Sequence, residues 1–163
     1  MKWIRTFVNK AAKRLGYRLL RMPREKDGIY SVVTPVAMYS PWNKDTSFLG
    51  VHDLIKDYTL VDTSRCYELW QLVEQSSKTE GCLIEIGTWR GGSGALIAKQ
   101  ADLCAIKETV YLCDTFRGVV KAGIEDSTYR GGEHANTTKS LVESLVFDKL
   151  NLNNVVILEG VFP

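Results

Sequence analysis

The short apolar run Cys82-Leu83-Ile84-Glu85-Ile86 ends on Gly87, and Thr88-Trp89-Arg90-Gly91-Gly92-Ser93-Gly94 then leads into Ala95-Leu96-Ile97-Ala98-Lys99-Gln100-Ala101. This pattern predicts a buried strand, a tight glycine turn and a helix whose start is crowded with glycine. A second apolar run, Val110-Tyr111-Leu112-Cys113, ends on Asp114, 27 residues beyond Gly87. Two such strands around a glycine turn are half of a dinucleotide-type, doubly wound α/β sheet. Few other arrangements accommodate them.

Glycine lets the backbone pass close beneath a ligand, and the unpaired amides at the helix start face the same space. An acid at the end of the second strand is placed to accept hydrogen bonds from both hydroxyls of a ribose. The spacing Gly87-x-x-x-Gly91-Gly92-x-Gly94 is not GxGxxG, so the turn suits a nucleotide ligand without a pyrophosphate. Glu85 interrupts a strand expected to be uniformly apolar, and a carboxylate there needs a cation or donors to meet it. The ammonium of a methionine moiety would be one such partner. The plainer alternative makes the turn a simple connection, pairs Glu85 with a local Lys or Arg and has Asp114 cap a loop. The coincidence of all three features favours the ligand.

Elsewhere, Asp62, Thr63 or Ser64 offers an N-cap for a helix running to Gln75, with Tyr67, Leu69, Trp70, Leu72 and Val73 as its mostly apolar side. A helix is expected over Thr138–Leu150 and a third strand over Val155–Leu158. The intervening segment Arg117–Asn136 carries four glycines with Asp126, Glu133 and His134, and its length suits a lid or binding loop. His134 is the candidate for acid–base work, weighed against a structural role for a lone histidine; no other catalytic residue is assigned.

With 163 residues, 45% of them hydrophobic, the chain is long enough for one packed domain and too apolar for wholesale disorder. The net charge of +2 conceals an asymmetry: residues 1–24 hold eight cations and no acid, which leaves the remainder at −6. Within 1–24, Trp3, Ile4, Phe7, Val8, Ala11, Leu15 and Leu19 recur at helical spacing, predicting an amphipathic basic helix. It could dock on a partner or on the domain, lie on anionic lipid as a peripheral membrane contact, or remain a solvated arm. Pro23, Pro35, Pro41 and Asp27-Gly28 make 25–41 a connector, with 42–163 as the main domain. No run approaches a membrane span and no secretory signal is evident, so a cytoplasmic location is expected, membrane-peripheral if the helix binds lipid. Cys66, Cys82, Cys104 and Cys113 match no zinc, redox or disulfide spacing and are expected to be reduced and mostly buried. A net-acidic main domain without a basic aromatic stripe argues against nucleic acid.

The segments Glu85–Ala95, Tyr111–Ala122 and Tyr129–His134, with Tyr58-Thr59-Leu60-Val61-Asp62 and Arg65-x-Tyr67-x-Leu69, resemble the macrocin O-methyltransferase family. The resemblance runs from about Trp42 to Pro163. It implies a Rossmann-like methyltransferase domain, of which this chain holds the first part of the sheet, and methylation of a sugar hydroxyl on a glycosylated natural product or other saccharide. The implied cofactors are S-adenosylmethionine and magnesium. Carried over by position, Glu85, Gly87, Thr88, Trp89, Arg90 and Gly91 would hold the methionine end and Asp114 the ribose, with Ser93 also among the cofactor-binding residues. Thr115, Phe116 and Gly118 would shape the adenosine side, with Tyr58 and Thr59 as part of a lid. The metal ligands and general base of the family fall beyond the matching part, so no metal ligand is named and a truncated chain is expected. With strand order three-two-one, the Leu83–Ile86 strand would keep an open edge where a fourth strand pairs. Rival readings are a non-catalytic adenosyl-ligand module and a membrane-associated interaction protein; a homo-oligomer is left open.

Overall fold

The computed structural model describes residues 10, 12, 14–16, 39–126 and 128–162, and the chain divides into two compact units, Met1–Tyr39 and Ser40–Pro163. In the first unit Lys10, Ala12 and Arg14 are helical, and the chain turns at Leu15 and Gly16, the glycine at φ 80°. That turn falls inside the segment expected to be one helix to residue 24. The rest of that segment, and the connector up to residue 38, lie outside the described residues.

The second unit opens with a 3-10 turn, Pro41–Lys44, and helix α1, Thr46–Ile55. The sequence reading assigned no helix here, although Asp45 is a good cap: its carboxylate accepts the Phe48 amide at 2.9 Å. Phe48, Val51 and Ile55, spaced three and four apart, form its buried side. After a second 3-10 turn, Lys56–Tyr58, helix α2 spans Thr63–Ser76 and is capped by Asp62. That carboxylate accepts from the Ser64 hydroxyl at 2.6 Å, and from the Arg65 amide at 3.1 Å and its Nε at 2.6 Å. These bonds, the Ser64 hydroxyl first, hold its pKa far below the usual carboxylate range. Cys66, Trp70 and Val73 face inward while Leu72 is exposed. Phe48 meets Tyr67 and Trp70 edge-on at 5.0 and 5.9 Å, joining α1 to α2.

Strand β1 (Leu83–Ile86), helix α3 (Gly92–Leu103), strand β2 (Val110–Asp114), helix α4 (Lys139–Glu143) and strand β3 (Val155–Glu159) complete the fold, with α4 continuing as a π-helical turn, Ser144–Lys149. The strands are parallel in the order β1-β2-β3, with Leu83 opposite Val110 and Asp114 opposite Glu159. Among the described residues β1 pairs only with β2, so its other edge is open. This is the first part of a doubly wound, Rossmann-like sheet.

Leu83, Glu85, Val110, Leu112, Val155 and Ile157 alternate onto the face that packs with Leu96, Trp70 and Val142 in the core. Helix α3 is buried on most sides, which explains its run of Gly and Ala: larger side chains would not fit between sheet and outer helices. The opposite face differs from the doubly buried strand that was expected. Ile84 is 56%, Ile86 63%, Val156 40% and Leu158 40% exposed. All four cysteines are free; Cys66 and Cys113 are buried, Cys104 is partly so and Cys82 is exposed, and burial pushes the Cys66 thiol up to about 11. No described helix is long and apolar enough to cross a membrane.

Candidate cofactor site

A cavity of about 560 Å³ lies at the carboxyl ends of β1, β2 and β3, where parallel α/β sheets place their ligands. Gly87, the first residue after β1, lies in its wall at φ 85°, and a Cβ there would meet no atom within 4 Å. The glycine therefore answers a backbone requirement, a left-handed turn, while leaving room in front of it. Its amide bonds the Cys113 carbonyl at 2.8 Å and ties the turn to β2.

Asp114 ends β2 on the same wall. One carboxylate oxygen accepts the Trp89 amide at 2.7 Å and the other accepts the Phe116 amide at 2.7 Å. Trp89 and Phe116 both adopt left-handed backbone, at φ 52° and 53°, which is unfavourable for bulky residues. One carboxylate thus holds the turns after β1 and β2 in strained conformations. Each oxygen keeps lone-pair capacity for a further donor.

Of the other residues expected to bind cofactor, Thr115 and Gly118 also line the cavity. The Thr115 hydroxyl donates to the Gly118 carbonyl at 3.1 Å and accepts the Arg117 amide at 3.2 Å, shaping a tight turn. Gly118 sits at φ 74°, and a Cβ there would stand 2.2 Å from the Glu133 carbonyl oxygen. The long segment from Arg117 therefore closes on itself: the Val119 amide donates to Glu133 at 2.9 Å and the Gly132 amide to Val119 at 2.8 Å. From this loop Lys121, Asp126, Tyr129 and His134 reach the cavity wall.

Glu85 does not line the cavity. Side chains alternate along β1, so Ile86 faces the cavity and Glu85 turns beneath α3. There it accepts from the Thr88 hydroxyl at 3.2 Å, from the Ser93 side chain and from the Gly94 amide. A helix N-terminus and two hydroxyls of the protein itself thus meet the carboxylate. Burial nevertheless lifts its pKa above the usual carboxylate value. Thr88 and Ser93 are accordingly occupied with Glu85. Gly91 caps α3 at φ 85° and abuts Val142, where a Cβ would stand 2.7 Å from a methyl.

Tyr58 and Thr59, expected in a lid, lie against Gly92, whose added Cβ would come within 2.6 Å of the Tyr58 carbonyl and 2.8 Å of Thr59 Cβ. Lys149 fixes Tyr58 from outside, with its ammonium 4.9 Å from the ring centroid while it donates to the Leu54 carbonyl at 3.1 Å. Leu60, not selected from the sequence, lines the cavity instead. Val119 and Val120, inside the Tyr111–Ala122 segment, and Val161 and Phe162 line the cavity without having been singled out, because an apolar side chain in a loop carries no chemistry that marks a role.

Trp89 lines the cavity and is fixed at every polar group. Its indole Nε1 donates to Asn136 Oδ1 at 3.0 Å, and its carbonyl accepts the Thr137 hydroxyl. The neighbouring Arg90 Nε donates to the Asn136 carbonyl at 3.0 Å and lays its guanidinium 4.8 Å from the indole centroid. His134, itself at φ 63°, packs edge-on to Trp89 at 6.3 Å and to Tyr129 at 5.8 Å. Among the described residues no group of three or more His, Cys, Asp or Glu could hold a metal ion.

A parallel sheet with a glycine turn and a strand-end acid on one cavity defines a nucleotide-type α/β domain. Residues 38–162 match the model of the macrocin-O-methyltransferase (TylF) family, and the chain belongs to that family. In fold it is similar to the solved structure of the O-methyltransferase NovP, at 23% identity and a TM-score of 0.52, over 63% of this chain and 47% of that one. The chain thus spans about half the length of that protein. No curated protein matches it.

Proposed function

We propose that the chain carries the cofactor site of an S-adenosylmethionine-dependent O-methyltransferase acting on a sugar hydroxyl of a glycosylated natural product or another saccharide. Family membership supports the reaction class. The observation that carries the cofactor assignment is the meeting of Gly87 and Asp114 on one cavity at the strand ends. Gly87 leaves space for close approach of a ligand, and the Asp114 carboxylate, already steadied by two amides, has capacity to accept from ribose hydroxyls. Thr115 and Gly118 would border the adenosine, while Glu85, Thr88, Gly91 and Ser93 act behind the wall by fixing the start of α3. When bound, S-adenosylmethionine supplies an electrophilic methyl group. This chain's part is to bind it and hold it still, and positioning is a large share of such catalysis. Magnesium belongs to what the family resemblance implies, and no described residue is assigned to it. His134 is read as a wall of the cavity, since its ring packs against two others.

Calorimetric titration of the chain with S-adenosylhomocysteine tests this without an acceptor. A micromolar dissociation constant is expected, and a folded chain that takes up no ligand overturns the reading. We also propose a cytoplasmic protein whose residues 1–24 touch anionic lipid, on the strength of eight cations beside Trp3 and Phe7. Equal co-sedimentation with anionic vesicles by the chain and by a version lacking residues 1–24 would refute the lipid contact.

A further inference from the structure

Trp89 is held in a conformation that costs free energy. A tryptophan at φ 52° is strained, yet its amide, carbonyl and indole N–H each have a partner, drawn from two segments: Asp114 at the end of β2, and the adjacent Thr137 and Asn136. Such over-determination fixes where the ring stands. It stands in the cavity wall, and so do His134 and Tyr129. Interplanar angles of 79° for Trp89 with His134 and 69° for Tyr129 with His134 turn each ring nearly perpendicular to the next. Nearly perpendicular aromatic walls around a cavity are the arrangement that accommodates alkylated cations, which are attracted to ring faces and poorly hydrated. Arg90, whose guanidinium lies 4.8 Å from the indole centroid, is not itself part of the cavity wall. The charged side chains on the wall itself are two acids, Asp114 and Asp126, and one cation, Lys121, whose ammonium donates to the Phe162 carbonyl at 3.2 Å.

We infer that Trp89 and Tyr129, spaced by His134, form an aromatic wall that recognises the positive charge of the cofactor's methylsulfonium. The inference rests on the cofactor reading above. The wall makes the site favour the charged methyl donor over the neutral thioether left after transfer, which aids exchange of spent cofactor. Its signature is selective: replacing a ring should weaken cationic ligands and spare neutral ones.

The test is calorimetric titration of the full chain, and of its Trp89→Leu and Tyr129→Leu variants, with three ligands. These are S-adenosylmethionine, S-adenosylhomocysteine and sinefungin, in which a primary ammonium replaces the methylsulfonium. Each substitution is expected to weaken both cationic ligands by about threefold to tenfold and the thioether by less than about twofold. Equal losses for all three ligands, or none, overturn the inference while leaving the cofactor reading intact. An unsubstituted chain that binds none of the three overturns the cofactor reading and this inference with it. Tyr129 lies on the loop outside the core, so its variant decides the matter if circular dichroism finds Trp89→Leu unfolded.

Discussion

Asp114 carries two duties on one carboxylate, and they can be separated. Asp114→Ala removes the charged acceptor of the Trp89 and Phe116 amides, so a stability loss of ~1.5–3 kcal/mol is expected in urea unfolding. Loss of cofactor affinity with unchanged stability would mean that the carboxylate does not hold the turns. Glu85 offers a second residue-level test. Its folded pKa is raised by burial, so the native state retains a proton that the unfolded chain releases. Its contribution is therefore present below the ordinary carboxylate value and is lost as pH rises through the folded value. Glu85→Gln, which does not titrate, should gain stability relative to the unsubstituted chain between pH 4 and pH 7. Urea midpoints at the two pH values measure it, and parallel shifts would contradict the assignment. The sequence singled out Glu85 correctly as a carboxylate needing company. It could not say which face of β1 the side chain takes, because the company comes from Ser93 and the Gly94 amide across a turn.

At the scale of elements, caps and glycines do the placing. The N-cap of α2 was legible as one of three adjacent residues, and the structure selects Asp62, whose side chain alone reaches the Arg65 amide. Asp62→Ala should cost about 1 kcal/mol, read from the thermal midpoint at neutral pH. Because the Asp62 pKa is depressed, that contribution fades as pH falls through its low folded value, so the two chains should converge in strong acid. Helix α1 was not read at all, although Asp45 caps it and Phe48, Val51 and Ile55 bury one side, since the prolines just before it suggested irregular chain. In the cavity loop, Gly118→Ala would drive a methyl into the Glu133 carbonyl and unlatch the loop base. Limited proteolysis should then cut between Gly118 and Glu133 faster than in the unsubstituted chain, with α2 and α3 still protected. Equal cutting would mean that the close approach at Gly118 does not hold the loop.

The second unit, Ser40–Pro163, is built on a parallel sheet with helices packed on one face. Ile84 and Ile86 on β1 and Val156 and Leu158 on β3 expose apolar side chains on the other face, to either side of β2, and β1 has an unpaired edge among the described residues. Such a surface binds hydrophobic dyes and promotes association. Sedimentation velocity of the chain should reveal species that grow with concentration, and Ile84→Thr with Val156→Thr should reduce them while preserving the circular dichroism spectrum. Concentration-independent monomer would show that the face is not adhesive.

By itself the sequence determined the order of strands and helices from Asp62 onward, the glycine turn and the acid at the end of β2. These are properties of short windows: period, capping chemistry and the need for a left-handed residue at Gly87 are settled within a few neighbours. Tertiary structure alone decided which side chains look into the cavity. Gly87 and Asp114 do, Glu85 and Thr59 do not, and Leu60, Lys121 and Tyr129 arrive from distant segments. The strain at Trp89 was invisible for the same reason. A left-handed tryptophan has no local cause, and it persists because Asp114, Asn136 and Thr137, brought together only by the folded chain, hold it there.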